Sequence, residues 1–173
     1  VTRLRQALER CARVRPPDHR CLSPAGEYNL RLGVLKELRP RVVATFTDRP
    51  GAHEGHPFLV EAAVSLGGPR MDEGLHVFRF ANRIPLLFEP GGDVATHVAN
   101  RGINWAAYKI DPKRDGVGVF VSIVSTKIPF KGTSKEYIGH DAGDFAASVK
   151  RALQGCCQQL RVHQAKEAAR KDL

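Results

Sequence analysis

The chain has 173 residues, 42% of them hydrophobic and 26% charged, which is enough apolar side chain to bury a core and excludes disorder by composition. Lysine and arginine outnumber aspartate and glutamate by 27 to 18, a formal net charge of +9. No apolar run approaches the ~18 residues a membrane-crossing helix needs, so no membrane partner is expected.

The length suits one domain, or one domain with a small appendage. Charge is uneven: +6 over residues 1–50, −3 over 51–100 and +6 over 101–173. Basic ends around an acidic middle suit a polyanion on one side and a protein neighbour on the other; a solvated basic surface has the same composition. VTRLRQALER has no apolar stretch behind its charges, so no secretory signal is expected. The first residue is Val and Met71 is the sole methionine, which gives the expectation of a piece cut from a longer chain. Cys11, Cys21, Cys156 and Cys157 show no C-x-x-C spacing and are expected to be reduced thiols of an intracellular protein. A zinc site on Cys11, His19 and Cys21 would lack a clear fourth ligand, so no metal site is expected.

Leu4, Leu8, Cys11 and Ala12 recur at helical spacing over residues 2–13, and Arg15-Pro16-Pro17 ends that helix. In CLSPAGEYNLRLGVLKELRP, Ser23 is the expected N-cap and Pro24 the first helical residue. Leu30, Leu32, Val34, Leu35 and Leu38 form the apolar side, and Pro40 closes the helix. The pair makes a small helical unit over residues 1–44. Residues 45–56, with Pro50, Gly51 and Gly55, read as a linker.

A sheet with a short helix is expected over 57–141. In FLVEAAVSL the period becomes two: Phe58, Val60, Ala62, Val64 and Leu66 share one face, and Leu59, Glu61, Ala63 and Ser65 the other. GGPRMDEG reads as a turn and LHVFRFANR as a second strand, so the two are expected to form a hairpin. Pro85 opens another apolar run, Leu86-Leu87-Phe88; after Gly91-Gly92 a short helix starts at Asp93 and carries Val94 and Val98. VGVFVSIVSTK is the strongest strand signal. Val117, Val119, Val121 and Ile123 line one face, which continues through Ser125 to Lys127; Phe120 and Val124 line the other, and Pro129 ends the strand.

Residues 142–173 read as one long helix, capped by Asp141 with Asp144 three residues on. Phe145, Val149, Leu153, Cys156 and Leu160 form a stripe as narrow as a coiled-coil seam. Gly155 is expected to weaken the helix by ~1 kcal/mol relative to Ala. HQAKEAARKDL continues the helix without an apolar face, so that end projects toward a partner or frays. The fold class is α+β.

The chain carries no Walker A loop, G-x-G-x-x-G, H-E-x-x-H or G-x-S-x-G, hence no recognisable catalytic centre of its own. Lys127 stands out, because a lysine at a stiff strand end is a point charge that can reach an anion such as a phosphate. Its alternative is a stem that snorkels from the sheet's end into water. Ser125 and Thr126 precede it, and Lys131 and Lys135 follow in the loop. In INWAAYKI, Trp105 and Tyr108 lie near Arg101, Lys109, Lys113 and Arg114. Aromatic and basic residues so interleaved suit phosphate and base contact; the alternative packs Trp105 on the sheet and leaves the charges solvated. His53 and His56 flank Glu54 and read as polar surface.

GHPFLVEAAVSLGG, FRFANRIPLLFEPGGDV, INWAAYKI and VGVFVSIVSTKIPFKGTSKEYIG resemble the transducer region of the B subunit of DNA topoisomerase VI, in the family's order. CLSPAGEYNLRLG resembles the end of that subunit's helix–two-turns–helix domain. The wording is nearer the plant and algal form than the archaeal one. The resemblance implies a transducer sheet backed by helices, similar to a ribosomal-protein second domain, ending in a stalk helix. It implies an ATP-dependent type IIB topoisomerase in which a GHKL ATPase domain, absent from this sequence, binds ATP and Mg2+. Ser125, Thr126 and Lys127 match the family's switch-lysine motif, so Lys127 is expected to sense the nucleotide by reaching the γ-phosphate. The implied partners are an A-type subunit through the C-terminal helix, a second B subunit on ATP binding, and double-stranded DNA; the plant-like wording implies the nucleus. The family often has a Trp-Lys-x-Tyr loop near DNA, and this sequence has Ala106 at the lysine position. Trp105, Tyr108, Lys109, Lys113 and Arg114 are the DNA-contact candidates, with Lys109 as the substitute lysine. Two alternatives stand beside this reading: a B-like scaffold of a meiotic double-strand-break complex, and a stand-alone DNA-binding module.

Overall fold

A computed structural model describes residues 1–11, 15–134 and 136–171. Ala12 and Lys135 therefore lie outside the described residues. The helices are α1 (Thr2–Cys11), α2 (Glu27–Leu38), α3 (Val94–His97) and α4 (Gly143–Lys171). The strands are β1 (Val42–Thr47), β2 (Gly51–His53), β3 (His56–Leu66), β4 (Gly74–Ala81), β5 (Ile84–Pro85), β6 (Gly116–Ser125), β7 (Phe130–Lys131) and β8 (Tyr137–Ile138). The main sheet has the order β1-β3-β6-β4-β5, with β2 also on β3, and β7 and β8 pair separately. The α+β class and the long C-terminal helix are as the sequence indicated.

The expected β3–β4 hairpin does not form. β6 lies between the two strands, antiparallel to β3 from Phe58↔Ser125 to Leu66↔Val117 and parallel to β4 from Gly74↔Gly116 to Ala81↔Ile123. β6 is apolar on both faces and takes the position covered on both sides. An eight-residue turn signal also exceeds the two to five residues usual for a hairpin, and it spans an intervening strand as readily.

The expected linker is also sheet. β1 lies antiparallel along β3, from Val42↔Leu66 to Thr47↔Glu61. Glu54 and Gly55 have φ of 50° and 80° and make the tight turn between β2 and β3, so their turn chemistry marks a hairpin tip within the sheet.

The two faces of the sheet are covered differently. Val60, Ala62 and Val64 of β3 and Val117, Val119, Val121 and Ile123 of β6 enter the main core with α3 and α4. Ala63 and Phe120 enter the smaller core under α2, with Val34, Leu30 and Leu38. The expected helical unit is therefore absent as such: α2 packs on the sheet, and no residue of α1 is buried. Leu32 and Leu35 of α2 are exposed.

The N-terminus of α2 departs from the Ser23–Pro24 expectation. Gly26, at φ 87°, is the N-cap. The buried Glu61 carboxylate accepts from the N–H groups of Ala25 and Gly26 at 2.9 and 2.7 Å, so a strand residue satisfies the amides at the helix start. α3 does begin on Asp93, whose carboxylate accepts from Ala95 N–H at 2.8 Å.

In α4 the stripe is broader than a seam. Phe145, Ser148, Val149, Ala152, Leu153, Cys156, Cys157 and Leu160 are all buried, the width of a helix laid on a sheet. The Asp141 carboxylate accepts from Lys131 Nζ at 2.6 Å, and Asp144 meets His53 Nδ1 at 2.9 Å, so neither acts as the expected capping pair. Gly155 marks a close approach: a Cβ there would lie 2.5 Å from Phe46 Cγ.

Candidate functional site

The site is built where β6 leaves the sheet. The strand ends at Ser125, and Thr126 and Lys127 form a bend beyond it, so Lys127 stands off the apolar face it was expected to continue. Ser125 is buried and fixes that bend. Its hydroxyl donates to Pro57 O at 2.9 Å, lies 3.1 Å from Lys127 O and accepts from Lys127 N–H at 3.2 Å. On the other side of β6, Asn82 takes both backbone groups of Ser125: Oδ1 accepts from Ser125 N–H at 3.0 Å, and Nδ2 donates to Ser125 O at 3.2 Å.

The β2–β3 hairpin tip supplies the outer surface. His56 Nδ1 lies 3.1 Å from Thr126 Oγ1, and Glu54 Oε2 lies 3.5 Å from Lys127 Nζ. Lys127 and Glu54 have side chains 61% and 65% exposed, so this pair is a solvated contact that exchanges readily with another anion. Chemically, an exposed ammonium on a fixed bend, held only by a solvated contact to Glu54, is a point charge that can meet an anion from outside the chain. Sequence reasoning set His56 and Glu54 aside as polar surface and assigned Asn82 only to a strand. The signal that could have found Asn82 is an Asn closing a β-run, a residue type that tolerates a left-handed turn.

The DNA-contact candidates do not gather at this place. Lys113 and Arg114 are exposed just before β6 begins, whereas Lys127 follows its end. Ten strand residues, roughly 30 Å, separate them. Lys109 is exposed at φ 58°, and Tyr108 is half-buried against the main core. Trp105 corrects the expectation outright. It is 5% exposed and its Nε1 donates to Ala99 O at 2.8 Å, so its faces and its one polar atom are used inside the protein and cannot stack on a base. Lys131 is engaged with Asp141.

A second polar cluster ties α4 to the sheet. Asp48, after β1, accepts from Ser148 Oγ at 2.5 Å and from Arg151 Nε and Nη2 at 3.1 and 2.9 Å. Burial pushes its carboxyl upward, but the Arg151 and Ser148 hydrogen bonds and the Arg151 charge outweigh this and hold it below the ordinary aspartate value. Cys156 and Cys157 are buried and Cys11 and Cys21 exposed. Burial pushes the Cys157 thiol up to about 12, and burial with the neighbouring Cys157 pushes Cys156 further up, so neither supplies a thiolate. Among the described residues no group of His, Cys, Asp and Glu could hold a metal ion.

A mixed sheet with one long helix across it defines an α+β domain. The family model for "Topoisomerase VI B subunit, transducer" matches residues 17–173, and the chain belongs to that family. It is 60% identical over 154 residues to the B subunit of DNA topoisomerase 6 from Arabidopsis thaliana, covering 89% of the chain and 23% of that protein. It is 34% identical over 165 residues to the B subunit of the type 2 DNA topoisomerase 6 from Saccharolobus solfataricus, covering 94% of the chain and 31% of that protein. The chain thus spans about a quarter of the length of the plant relative. A likeness to the B-subunit of the DNA gyrase from Myxococcus xanthus has a TM-score of 0.47 at 15% identity over 76% of the chain and 38% of that one, too slight to carry an argument.

Proposed function

We propose that this chain is the transducer segment of an ATP-dependent type IIB DNA topoisomerase, coupling ATP binding and hydrolysis in a GHKL domain to opening of the DNA gate by an A-type subunit. The observation that carries the reading is Lys127, an exposed ammonium on a bend fixed by Ser125, in a chain of the topoisomerase VI B-subunit transducer family. ATP with Mg2+ is bound by the GHKL domain, and Lys127 supplies the charge that meets the γ-phosphate. When that phosphate leaves, Lys127 loses its partner and the contact between the two domains opens. Glu54 is then the anion within reach.

The remaining partners follow from the same reading. A second B subunit joins on ATP binding. The A-type subunit docks on α4 beyond Leu160, where exposed helix continues to Lys171 past the last buried residue. Duplex DNA passes along the end of the sheet that carries Lys109, Lys113 and Arg114, with Tyr108 beside them. The nucleus is the compartment that suits a plant-type enzyme of chromosomal DNA.

The test compares the complete B subunit, wild type and Lys127→Ala, with its A partner in DNA-stimulated ATP hydrolysis and plasmid relaxation. Relaxation by wild type and its uncoupling by the substitution are expected. A wild type that binds its partner yet neither hydrolyses ATP nor relaxes DNA would replace this reading with the scaffold one.

A further inference from the structure

We infer that Asn82 is a positioning residue for Lys127: its side-chain amide extends the β4–β6 ladder by one rung and thereby sets where the Ser125–Lys127 bend leaves the sheet. The inference rests on Lys127 meeting a phosphate, as proposed above.

β4 ends before β6 does. The last backbone pair is Ala81↔Ile123, and Asn82 N–H donates to Ile123 O at 2.8 Å. Beyond it the chain turns away through Asn82 and Arg83, at φ 47° and 68°, into β5. Ser125 would be left with its N–H and C=O unpaired toward the β4 side. The Asn82 amide fills that place, accepting with Oδ1 and donating with Nδ2. The side chain thus does what a further strand residue would do, while its own backbone occupies the left-handed conformation that asparagine tolerates. Across the sheet, the Ser125 hydroxyl holds Pro57 O and Lys127 N–H. Asn82, Ser125 and Lys127 therefore form one chain of hydrogen bonds from β4 to the bend.

Two substitutions separate this role from a general one. Asn82→Gly keeps the left-handed turn and removes the amide. Asn82→Asp keeps the shape and the acceptor for Ser125 N–H but has no donor for Ser125 O, because an ionised carboxylate only accepts. A role confined to the turn would leave both near wild type.

The first measurement needs no nucleotide. Hydrogen–deuterium exchange of the complete B subunit should show exchange over residues 123–128 faster by roughly 10-fold or more in Asn82→Gly, with β3 and the first half of β6 unchanged. Unchanged exchange at 123–128 would overturn the inference, as would the same increase spread over the whole sheet. The second measurement is a double-mutant cycle in ATP-coupled plasmid relaxation with the A partner. Each Asn82 variant should lose about 10-fold in turnover, since a displacement near 1 Å can cost up to ~100-fold. The Asn82→Gly, Lys127→Ala double variant should be no slower than Lys127→Ala alone, because both act through one group. Additive losses would overturn the positioning role while leaving Lys127 in place. A Lys127→Ala variant at wild-type turnover would remove the proposed function, and this inference with it.

Discussion

Asp48→Ala tests how α4 is fastened to the sheet. The substitution strands the Ser148 hydroxyl, which is fully buried, and frees Arg151, whose side chain is 42% exposed. A hydrogen bond to a charged partner contributes ~1.5–3 kcal/mol. The Arg151 ion pair is partly solvated and contributes only ~0–1 kcal/mol. The loss at neutral pH is therefore ~1.5–4 kcal/mol, or about 3–16 °C in Tm for a chain of this size. The sign with pH follows from the lowered carboxyl of Asp48. A folded-state pKa below the unfolded value of ~3.9 gives stability that is fully present above that value and is lost as pH falls through the folded one. Urea unfolding of both proteins at pH 7 and in steps down to about pH 3 measures the gap. It should be widest at pH 7 and narrow below about pH 4, where Asp48 of the unfolded wild type takes up a proton that the folded state still resists. A gap under ~0.5 kcal/mol at pH 7, within the range of ordinary surface substitutions, would refute the reasoning. So would a gap of equal size at pH 3.

Two further outcomes are expected. In Gly155→Ala, helix propensity gains ~1 kcal/mol, but the new methyl meets the Phe46 ring at 2.5–2.8 Å and overpacking costs ~1–3 kcal/mol. Chemical denaturation should show a net loss of up to ~2 kcal/mol, reversed when Phe46→Leu is added; stabilisation by the single substitution would contradict the close approach. Titration of the native protein with a thiol reagent should give fast reaction at Cys11 and Cys21 alone, with Cys156 and Cys157 reacting only on unfolding.

What the sequence disclosed was local and periodic. Val117, Val119, Val121 and Ile123 announce a buried strand face by alternation, and the α4 positions from Phe145 to Leu160 announce a helix by their spacing. Both signals survive because burial on one face needs only the period. Sheet order needs more. Which strand lies beside β3 depends on the apolar character of β6, far along the chain, and a Gly-Pro-rich turn carries no information on what it spans. Glu61 shows the same limit. A glutamate on a strand reads as solvent-facing until α2 arrives with two amides for it. Trp105 was ambiguous for a chemical reason: an indole beside basic residues suits stacking or burial equally, and the Ala99 carbonyl that decides between them is set by the turn of Val98–Gly102. Lys127 was singled out by its place at a strand end and by the resemblance, whereas Asn82, Glu54 and His56 were not, because their relation to it exists only across paired strands.

The same pairing bears on how a transducer would deliver movement. α4 is held to the sheet at successive levels: Asp144 on His53, Ser148 and Arg151 on Asp48, Gly155 under Phe46, Cys156 on Ala62 O and Gln159 on Thr45 O. All but one of these ties are polar bonds, and the close approach of Gly155 to Phe46 lies among them, so sliding the helix would break several together. α4 is thereby fastened to β1, β2 and β3, and β3 in turn pairs with β6 from Val117 to Ser125. At ~1.5 Å per residue the 29 residues of α4 span about 43 Å. Taking the start of α4, beside the β2–β3 hairpin, as the pivot, a rotation of about 10° moves the far end of the helix by roughly 7.5 Å. On the proposed function, Lys127 needs to tilt the sheet by only about 10°, as it takes up or releases a phosphate, to shift the region from Leu160 to Lys171 by roughly 4–8 Å. Loosening the Asp48 tie should then cost coupling before it costs ATP turnover, since the sensing end keeps its geometry while the lever loses its stiffness.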